Sequence, residues 1–142
     1  MRPLKHLIDG KPSTVTVGPD DTVFTALTLL AQFDIGALLV LDQGKLVGIF
    51  SERDYARKII LKGKASKDTL VREIMSEKVS CVTLKQSVQE CMALMTDKRI
   101  RHLPVIGDNE EVLGILSIGD LVKETISDQK FTIEQLVSYI QN

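Results

Sequence analysis

The sequence is poor in side chains that bind metals or take part in redox chemistry. Its 142 residues include two cysteines, two histidines and no tryptophan. A structural zinc site usually has four ligands, so a metal centre would need carboxylates to complete it. Cys91 falls in a helical apolar stripe and Cys81 in an alternating, strand-like stretch, so we expect no disulfide between them. The composition therefore favours neither a metalloprotein nor a disulfide-stabilised domain.

The sequence also lacks an excess of charge and a long hydrophobic run. Lys and Arg total 18 against 19 Asp and Glu, which gives a formal net charge of −1. Without a global positive field, neither nucleic acid nor a membrane surface is expected as the main partner. The longest aliphatic run, residues 37–41, is far shorter than the ~20 residues that span a bilayer. Residues 1–10 contain no signal-peptide core, so we expect a cytoplasmic protein, or a mitochondrial matrix protein whose targeting peptide has been removed.

What the sequence does contain is an internal repeat, with an offset of 65 to 66 residues. Hydrophobic content is 44%, which is ordinary for a globular domain. Residues that match between the halves include apolar positions and the polar positions of one short motif: Val17 and Val82, Leu38 and Leu103, Gly48 and Gly114, Ser51 and Ser117, Asp54 and Asp120. The halves are therefore predicted to fold alike.

Each half has the periodicity of a strand, a helix, a β-hairpin and a second helix. Strands are predicted over 14–17, 37–41 and 45–50 in the first half, and over 81–84, 102–106 and 112–116 in the second. The second helices begin at Ser51 and Ser117. Residues 63–70 are polar and basic, which predicts a linker. Thr132 and Gln135 predict a capping box for an additional C-terminal helix over 129–142.

One motif, Gly, two apolar residues, Ser, two variable residues and Asp, occurs at residues 48–54 and again at residues 114–120. A helix start alone would explain it, because Ser caps free backbone amides and Asp complements the helix dipole. A binding site would also explain it, because an open helix N-terminus tolerates anions and Asp can accept hydrogen bonds from a ribose diol.

A cationic pair precedes the same motif in the second half. Arg101 and His102 stand where the strand that contains Pro104 begins. They are suited to binding a phosphate, although a solvated loop end or a helix cap would also explain them. Arg53 offers a further donor if the halves pack about a pseudo-twofold axis. In the first half, Gly36 and Ala37 replace the cationic pair, so the two sites are expected to differ.

Together these features resemble a tandem pair of CBS (cystathionine-β-synthase) domains, also called a Bateman module. The resemblance implies an α+β fold in which two β-α-β-β-α units pack sheet to sheet about a pseudo-twofold axis, with an extra C-terminal helix. Residues 1–142 would form one module, with repeats at 7–62 and 71–128, a linker at 63–70 and the helix at 129–142.

The resemblance also implies two clefts that bind adenosine nucleotides. Asp120 and Asp54 would hold the ribose, with Ser117 and Ser51 beside them. Adenine would lie near Ser80 or Val15 and near the entrance of the strand that carries Pro104. Arg101, His102 and Arg53 would contact phosphates, while Gly36 and Ala37 leave the first cleft without that pair.

The function expected on these grounds is that of a non-enzymatic sensor. AMP is the foremost ligand, with ADP, ATP or NAD as others, and no catalytic cofactor is expected. The sensor would form a homodimer and relay occupancy to an effector protein of unknown identity. A ligand-independent interaction scaffold is the main alternative. Catalysis is disfavoured, because no nucleophile–base pair and no Gly-x-x-x-x-Gly-Lys loop occurs.

Overall fold

The structure is a computed structural model that describes residues 1–11 and 14–141. It divides into two compact units. The first-repeat unit comprises the described residues from 14 to 80 together with 108–112, and the second-repeat unit comprises residues 1–11, 81–107 and 113–141. No helix in the described part of the chain is both long and apolar enough to cross a membrane.

The first-repeat unit is built on a three-stranded sheet. Its elements are β1 (Thr16–Val17), α2 (Val23–Phe33), β2 (Ala37–Asp42), β3 (Lys45–Ser51), α3 (Glu52–Tyr55), a π-helical turn (Ala56–Ile60) and α4 (Val71–Ile74). Strand β2 lies in the centre, parallel to β1 and antiparallel to β3. Its first four residues are all buried, as expected for a strand covered on both faces.

The second-repeat unit has a similar plan. It contains α1 (Leu4–Asp9), α5 (Val88–Lys98), the hairpin strands β4 (His102–Ile106) and, from Leu113 onward, β5 (Val112–Ser117), and α6 (Ile118–Gln141). Both units therefore carry the predicted helix and hairpin, and the α+β prediction is confirmed. Each unit has its own apolar core, and Leu4 of α1 belongs to the core of the second repeat.

Three predictions about regular structure differ from what is observed. The first predicted strand, 14–17, is limited to Thr16–Val17. Residues 81–84 do not form a full strand: Val82 makes a single parallel bridge with Val105, while Thr83 and Gln86 already form a turn. The predicted cap at Thr132 does not exist, because α6 runs unbroken through it. The Thr132 hydroxyl instead donates to the carbonyl of Asp128 one turn earlier, at 3.0 Å. With no glycine or proline at 121–131, nothing interrupts the helix there.

The segment that precedes each repeat packs against the hairpin of the other. In the second-repeat unit, a Cβ added to Gly114 would lie 2.8 Å from Cγ2 of Ile8. In the first-repeat unit, a Cβ added to Gly48 would lie 2.6 Å from Sδ of Met75 and 3.1 Å from the carbonyl oxygen of Ser76. The matching glycines of the motif are therefore required for close packing, and they bring these leading segments to the two acidic residues described next.

Candidate functional site

Ser117 and Asp120 join β5 to α6 in a reciprocal pair of hydrogen bonds. The Ser117 amide donates to Oδ2 of Asp120 at 2.8 Å, and the Asp120 amide donates to the Ser117 hydroxyl oxygen at 3.2 Å. The capping interpretation of the motif is therefore confirmed. The Asp120 side chain is nonetheless 26% exposed, and within residues 1–11 and 14–141 its Oδ1 accepts no hydrogen bond.

Lys11 binds the same oxygen of this carboxylate that accepts from the Ser117 amide. Its Nζ lies 2.6 Å from Oδ2 of Asp120 and also donates to the carbonyl oxygen of Ile115 at 2.8 Å. Burial alone would raise the pKa of Asp120, but the hydrogen bonds from Lys11 and Ser117 outweigh it and hold the pKa below its ordinary value. Asp120 is therefore ionised at neutral pH, with one oxygen engaged and one available.

Arg101 and His102 stand at the start of β4, where the carbonyl oxygen of Arg101 accepts from the Ile118 amide and Asp120 acts electrostatically on His102. Arg101 is exposed and His102 is half-buried. Burial lowers the pKa of His102, the positive charges of Lys11 and Arg101 lower it further, and Asp120 opposes them. His102 is therefore a neutral imidazole at neutral pH, and an added anion would favour its protonated form.

The helix start itself is less open to an anion than the sequence suggests. The amide of Ile118, the first residue of α6, donates to the carbonyl oxygen of Arg101 at 2.8 Å. The amide of Asp120 is occupied by Ser117, as described above. The strand entrance and the serine thus use two of the first three amides of α6. A phosphate there would depend on side chains.

The first repeat forms the same turn, but the carboxylate of its aspartate has more partners within the unit. Asp54 accepts from the Ser51 amide at 3.0 Å, and its other oxygen lies 3.2 Å from Nζ of Lys58 and 3.5 Å from the Ser76 hydroxyl. Asp54 is only 8% exposed. Both of its oxygens are therefore engaged within the unit, in contrast to Asp120.

The other predicted site residues lie in the first-repeat unit, except Pro104, which lies in β4. Gly36 is half-buried, and its carbonyl accepts from the Glu52 amide at 3.1 Å, which matches the bond between Arg101 and Ile118. Ala37 is buried at the start of β2, and Arg53 is exposed on α3. The half-buried Val15 and Ser80 both fall in the first-repeat unit. Pro104 is buried in β4, where its carbonyl accepts from the amide of Val82 at 3.0 Å.

Sequence reasoning missed the lysines that neutralise the two carboxylates. Lys58 lies four residues after Asp54, a helical spacing that could have predicted the pair. Lys11 is 109 residues from Asp120, so no local pattern could have predicted that contact. It exists because α1 packs on the second repeat.

His102 is expected to make stability depend on pH. Its pKa in the folded chain lies below the ordinary 6.5, so in mildly acidic solution the unfolded chain binds the proton more readily. The free energy of unfolding should fall as the pH drops through about 6.5. Well above that pH, His102 is neutral in both the folded and the unfolded chain and has no such effect. Urea unfolding at about pH 7.5 and about pH 5.5 should show a smaller loss for His102→Gln than for the parent. Equal losses would contradict the burial argument.

Comparison with known proteins relates both repeats to one family. The CBS domain family profile matches residues 8–61 and 71–127. The CBS domain-containing protein CBSX3, mitochondrial, of Arabidopsis thaliana is 45% identical over 127 residues, which are 86% of this chain and 61% of that protein. This chain therefore spans about three fifths of that relative's length.

Solved structures agree with the fold. A CBS-domain protein from Burkholderia ambifaria is 47% identical, with a TM-score of 0.85 over 90% of this chain and 96% of that one. A CBS domain pair solved in complex with 5-methylthioadenosine and S-adenosyl-L-methionine is 24% identical, with a TM-score of 0.80 over 90% of this chain and 98% of that one. Since the profile matches both repeats and the relatives match across them, this chain belongs to the family of CBS-domain proteins as a tandem pair.

Proposed function

We propose that this chain is a non-enzymatic module that binds an adenosine nucleotide, AMP foremost, in its second repeat and relays occupancy to another protein. The observation that carries the proposal is the half-buried carboxylate of Asp120, which is ionised and whose Oδ1 accepts no hydrogen bond among the described residues. A ribose diol offers two hydroxyl donors to such an oxygen.

The surrounding charges suit a ligand that carries a phosphate. Lys11, Arg101 and His102 all act electrostatically on this site. Arg supplies a planar pair of donors, and a phosphate would stabilise the protonated form of His102. A CBS domain pair of the same fold holds two adenosine-containing ligands, which supports the choice of an adenosine derivative over other phosphorylated compounds.

The first repeat is proposed to contribute less. Asp54 already has Ser51, Lys58 and Ser76 as partners, and a ribose would have to displace them. The strand entrance there is Gly36 and Ala37, without a cation. Arg53, Val15 and Ser80 keep their proposed roles in binding phosphate and adenine.

Titration calorimetry with AMP, 2′-deoxy-AMP, adenosine, ADP, ATP and NAD tests the proposal. We expect AMP to bind, 2′-deoxy-AMP to bind more weakly because the diol is incomplete, and adenosine to bind more weakly because the phosphate is missing. If none of these nucleotides at millimolar concentration gives a heat of binding or competes with another of them for the chain, nucleotide binding is rejected.

Lys11 is expected to determine how much the phosphate contributes to the affinity for AMP. A ribose at Oδ1 of Asp120 would share the charge of the carboxylate with the Lys11 ammonium on Oδ2, whereas a phosphate can attract that ammonium. Lys11→Met is therefore expected to raise the affinity for adenosine and to lower the preference for AMP over adenosine by about 3- to 10-fold. The matched control is Lys5→Met, which removes the same charge from an exposed position of α1. An unchanged preference in Lys11→Met would place the phosphate elsewhere.

A ligand-independent interaction scaffold is the second candidate function. It is favoured by one observation, the large apolar side chains exposed along the end of α6. Capture of the partner protein with and without AMP separates the two functions, because a sensor requires the bound and free states to contact the partner differently. Indifference to AMP would favour the scaffold.

A further inference from the structure

The segment that ends the π-helical turn of the first repeat concentrates positive charge. We define the basic loop as residues 57–67. It contains one arginine, four lysines and no aspartate or glutamate, although the whole chain has a formal net charge of −1. Its cations are Arg57, Lys58, Lys62, Lys64 and Lys67. The near-neutral charge of the whole chain therefore conceals a surface whose local field is positive.

Four of these five cations are available to a partner. The exception is Lys58, which is half-buried, lies 3.2 Å from Asp54 and donates to the carbonyl oxygen of Ile74 at 2.9 Å. The other four are exposed, and none of them forms an ion pair with a residue that the structure describes. A partner of negative charge would therefore meet cations that have no competing carboxylate.

Backbone hydrogen bonds tie the basic loop to the rest of its unit. The Lys64 amide donates to the carbonyl oxygen of Ile59 at 3.0 Å, and Gly63, with a φ of 67°, ends the helical turn. The carbonyl oxygen of Ser66 accepts from the amide of Phe24, in the first turn of α2, at 3.0 Å. Because the backbone of the loop is already held, binding a partner would cost little ordering.

Two large aliphatic side chains are exposed within the same loop. Ile60 is 57% exposed and Leu61 is 78% exposed, whereas the neighbouring Ile59 is buried. They lie between Arg57 and Lys62 in the sequence. Covering such side chains with an apolar medium removes their surface from water, which is favourable. The basic loop thus offers an apolar anchor with cations on both sides of it.

This combination favours a lipid surface over a protein or a nucleic acid. Protein interfaces are depleted in lysine, whereas three of the four exposed cations here are lysines. Binding of single-stranded nucleic acid relies on aromatic rings that stack with bases, and the Phe24 ring beside the loop already has Nζ of Lys67 5.0 Å from its centre. Lysine and arginine around aliphatic side chains are typical of segments that bind at the surface of anionic membranes.

We propose that the basic loop binds the surface of a membrane that contains anionic phospholipids. Ile60 and Leu61 insert among the headgroups, and the four exposed cations contact lipid phosphate and carboxylate groups. Affinity at such a surface increases with the buried apolar area and with the attraction between cations and anionic lipids. The contact uses none of the residues assigned to nucleotide binding and does not depend on the proposed function.

Co-sedimentation of the full chain with vesicles tests the proposal. Vesicles of phosphatidylcholine alone are compared with vesicles that contain about 30% phosphatidylserine, which are anionic. At about 50 mM salt, at least about fivefold more chain should sediment with the anionic vesicles, and about 500 mM salt should remove most of the difference. Equal sedimentation with both kinds of vesicle, or sedimentation with neither, would overturn the proposal.

A pair of charge variants assigns the binding to the loop. Lys62→Gln combined with Lys64→Gln should lower the partition onto anionic vesicles by about 10-fold or more. The matched control combines Lys85→Gln with Lys98→Gln, which removes the same charge from exposed positions of the second repeat, and should stay within about twofold of the parent. Equal losses in the two double variants would reject the basic loop as the binding surface.

Leu61→Ser separates lipid insertion from attraction to any polyanion. Because it removes apolar surface without changing charge, it should lower the partition onto anionic vesicles by about 3- to 10-fold. The matched control is Leu84→Ser, at an exposed leucine outside the loop, which should bind as the parent does. A parent-like Leu61→Ser would overturn insertion. Binding to poly-glutamate or to DNA at equal negative charge, as tight as to the anionic vesicles, would overturn the choice of lipid.

Discussion

Asp120→Ala is expected to weaken AMP binding by about 10- to 150-fold, or about 1.5 to 3 kcal/mol, because charge-assisted hydrogen bonds to the ribose diol are lost. The parent carboxylate is ionised and keeps Oδ1 available at a half-buried position. Calorimetric titration with AMP measures the change. Affinity within about twofold of the parent, well under 1 kcal/mol, would leave Ser117 and Asp120 with a capping role alone.

One further variant separates binding from folding. Asp120→Asn retains an oxygen that can accept from the Ser117 amide, so it should keep the cap while losing the charge that favours the diol. Its affinity should fall together with that of Asp120→Ala, with less loss of stability. If only Asp120→Ala weakens AMP, the effect comes from the helix start and not from the ligand contact.

Asp54→Ala is the matched control in the first repeat. Asp54 is buried and has partners on both oxygens. Its removal leaves the Ser51 amide and the Lys58 ammonium without that partner, at an expected cost of about 1–3 kcal/mol in the free energy of unfolding. AMP affinity should change less than in Asp120→Ala. A larger loss of affinity would move the main site to the first repeat.

The regular structure was largely predictable because it rests on local periodicity. The hairpin strands β2 to β5 lie within one residue of their predicted bounds, since alternation and turn residues determine them. The prediction of a capping box at Thr132 was wrong because it also rested on a local pattern. A Thr-x-x-Gln pattern marks a helix start only when the chain before it is not helical, and here the preceding turn is already part of α6.

The site was predictable only in part, because its chemistry combines local and distant contacts. Ser117 and Asp120 are three residues apart, so their hydrogen bonds follow from the motif. The partner that distinguishes this acid from its repeat counterpart is Lys11, which tertiary packing brings to it. Ile8 packs at Gly114 and positions the chain that leads to Lys11. The duplicated motif by itself does not distinguish the two acids, whereas the partners that tertiary packing brings to them make them unequal.

Phe50→Ala is expected to lower the free energy of unfolding by about 3–5 kcal/mol. Phe50 is fully buried in the core of the first repeat, and removing its ring leaves a cavity that the neighbouring side chains fill incompletely. Urea unfolding followed by far-UV circular dichroism measures the loss.

The matched control is Phe33→Ala at the end of α2, where the ring is 49% exposed. Its cost should stay below about 1 kcal/mol, as is usual for surface positions. Because Phe50 immediately precedes Ser51, Phe50→Ala should also loosen the helix start that holds Asp54, while Asp120 keeps its own core around Leu116 and Leu121. Equal costs at positions 50 and 33 would contradict the packing of β3 described above.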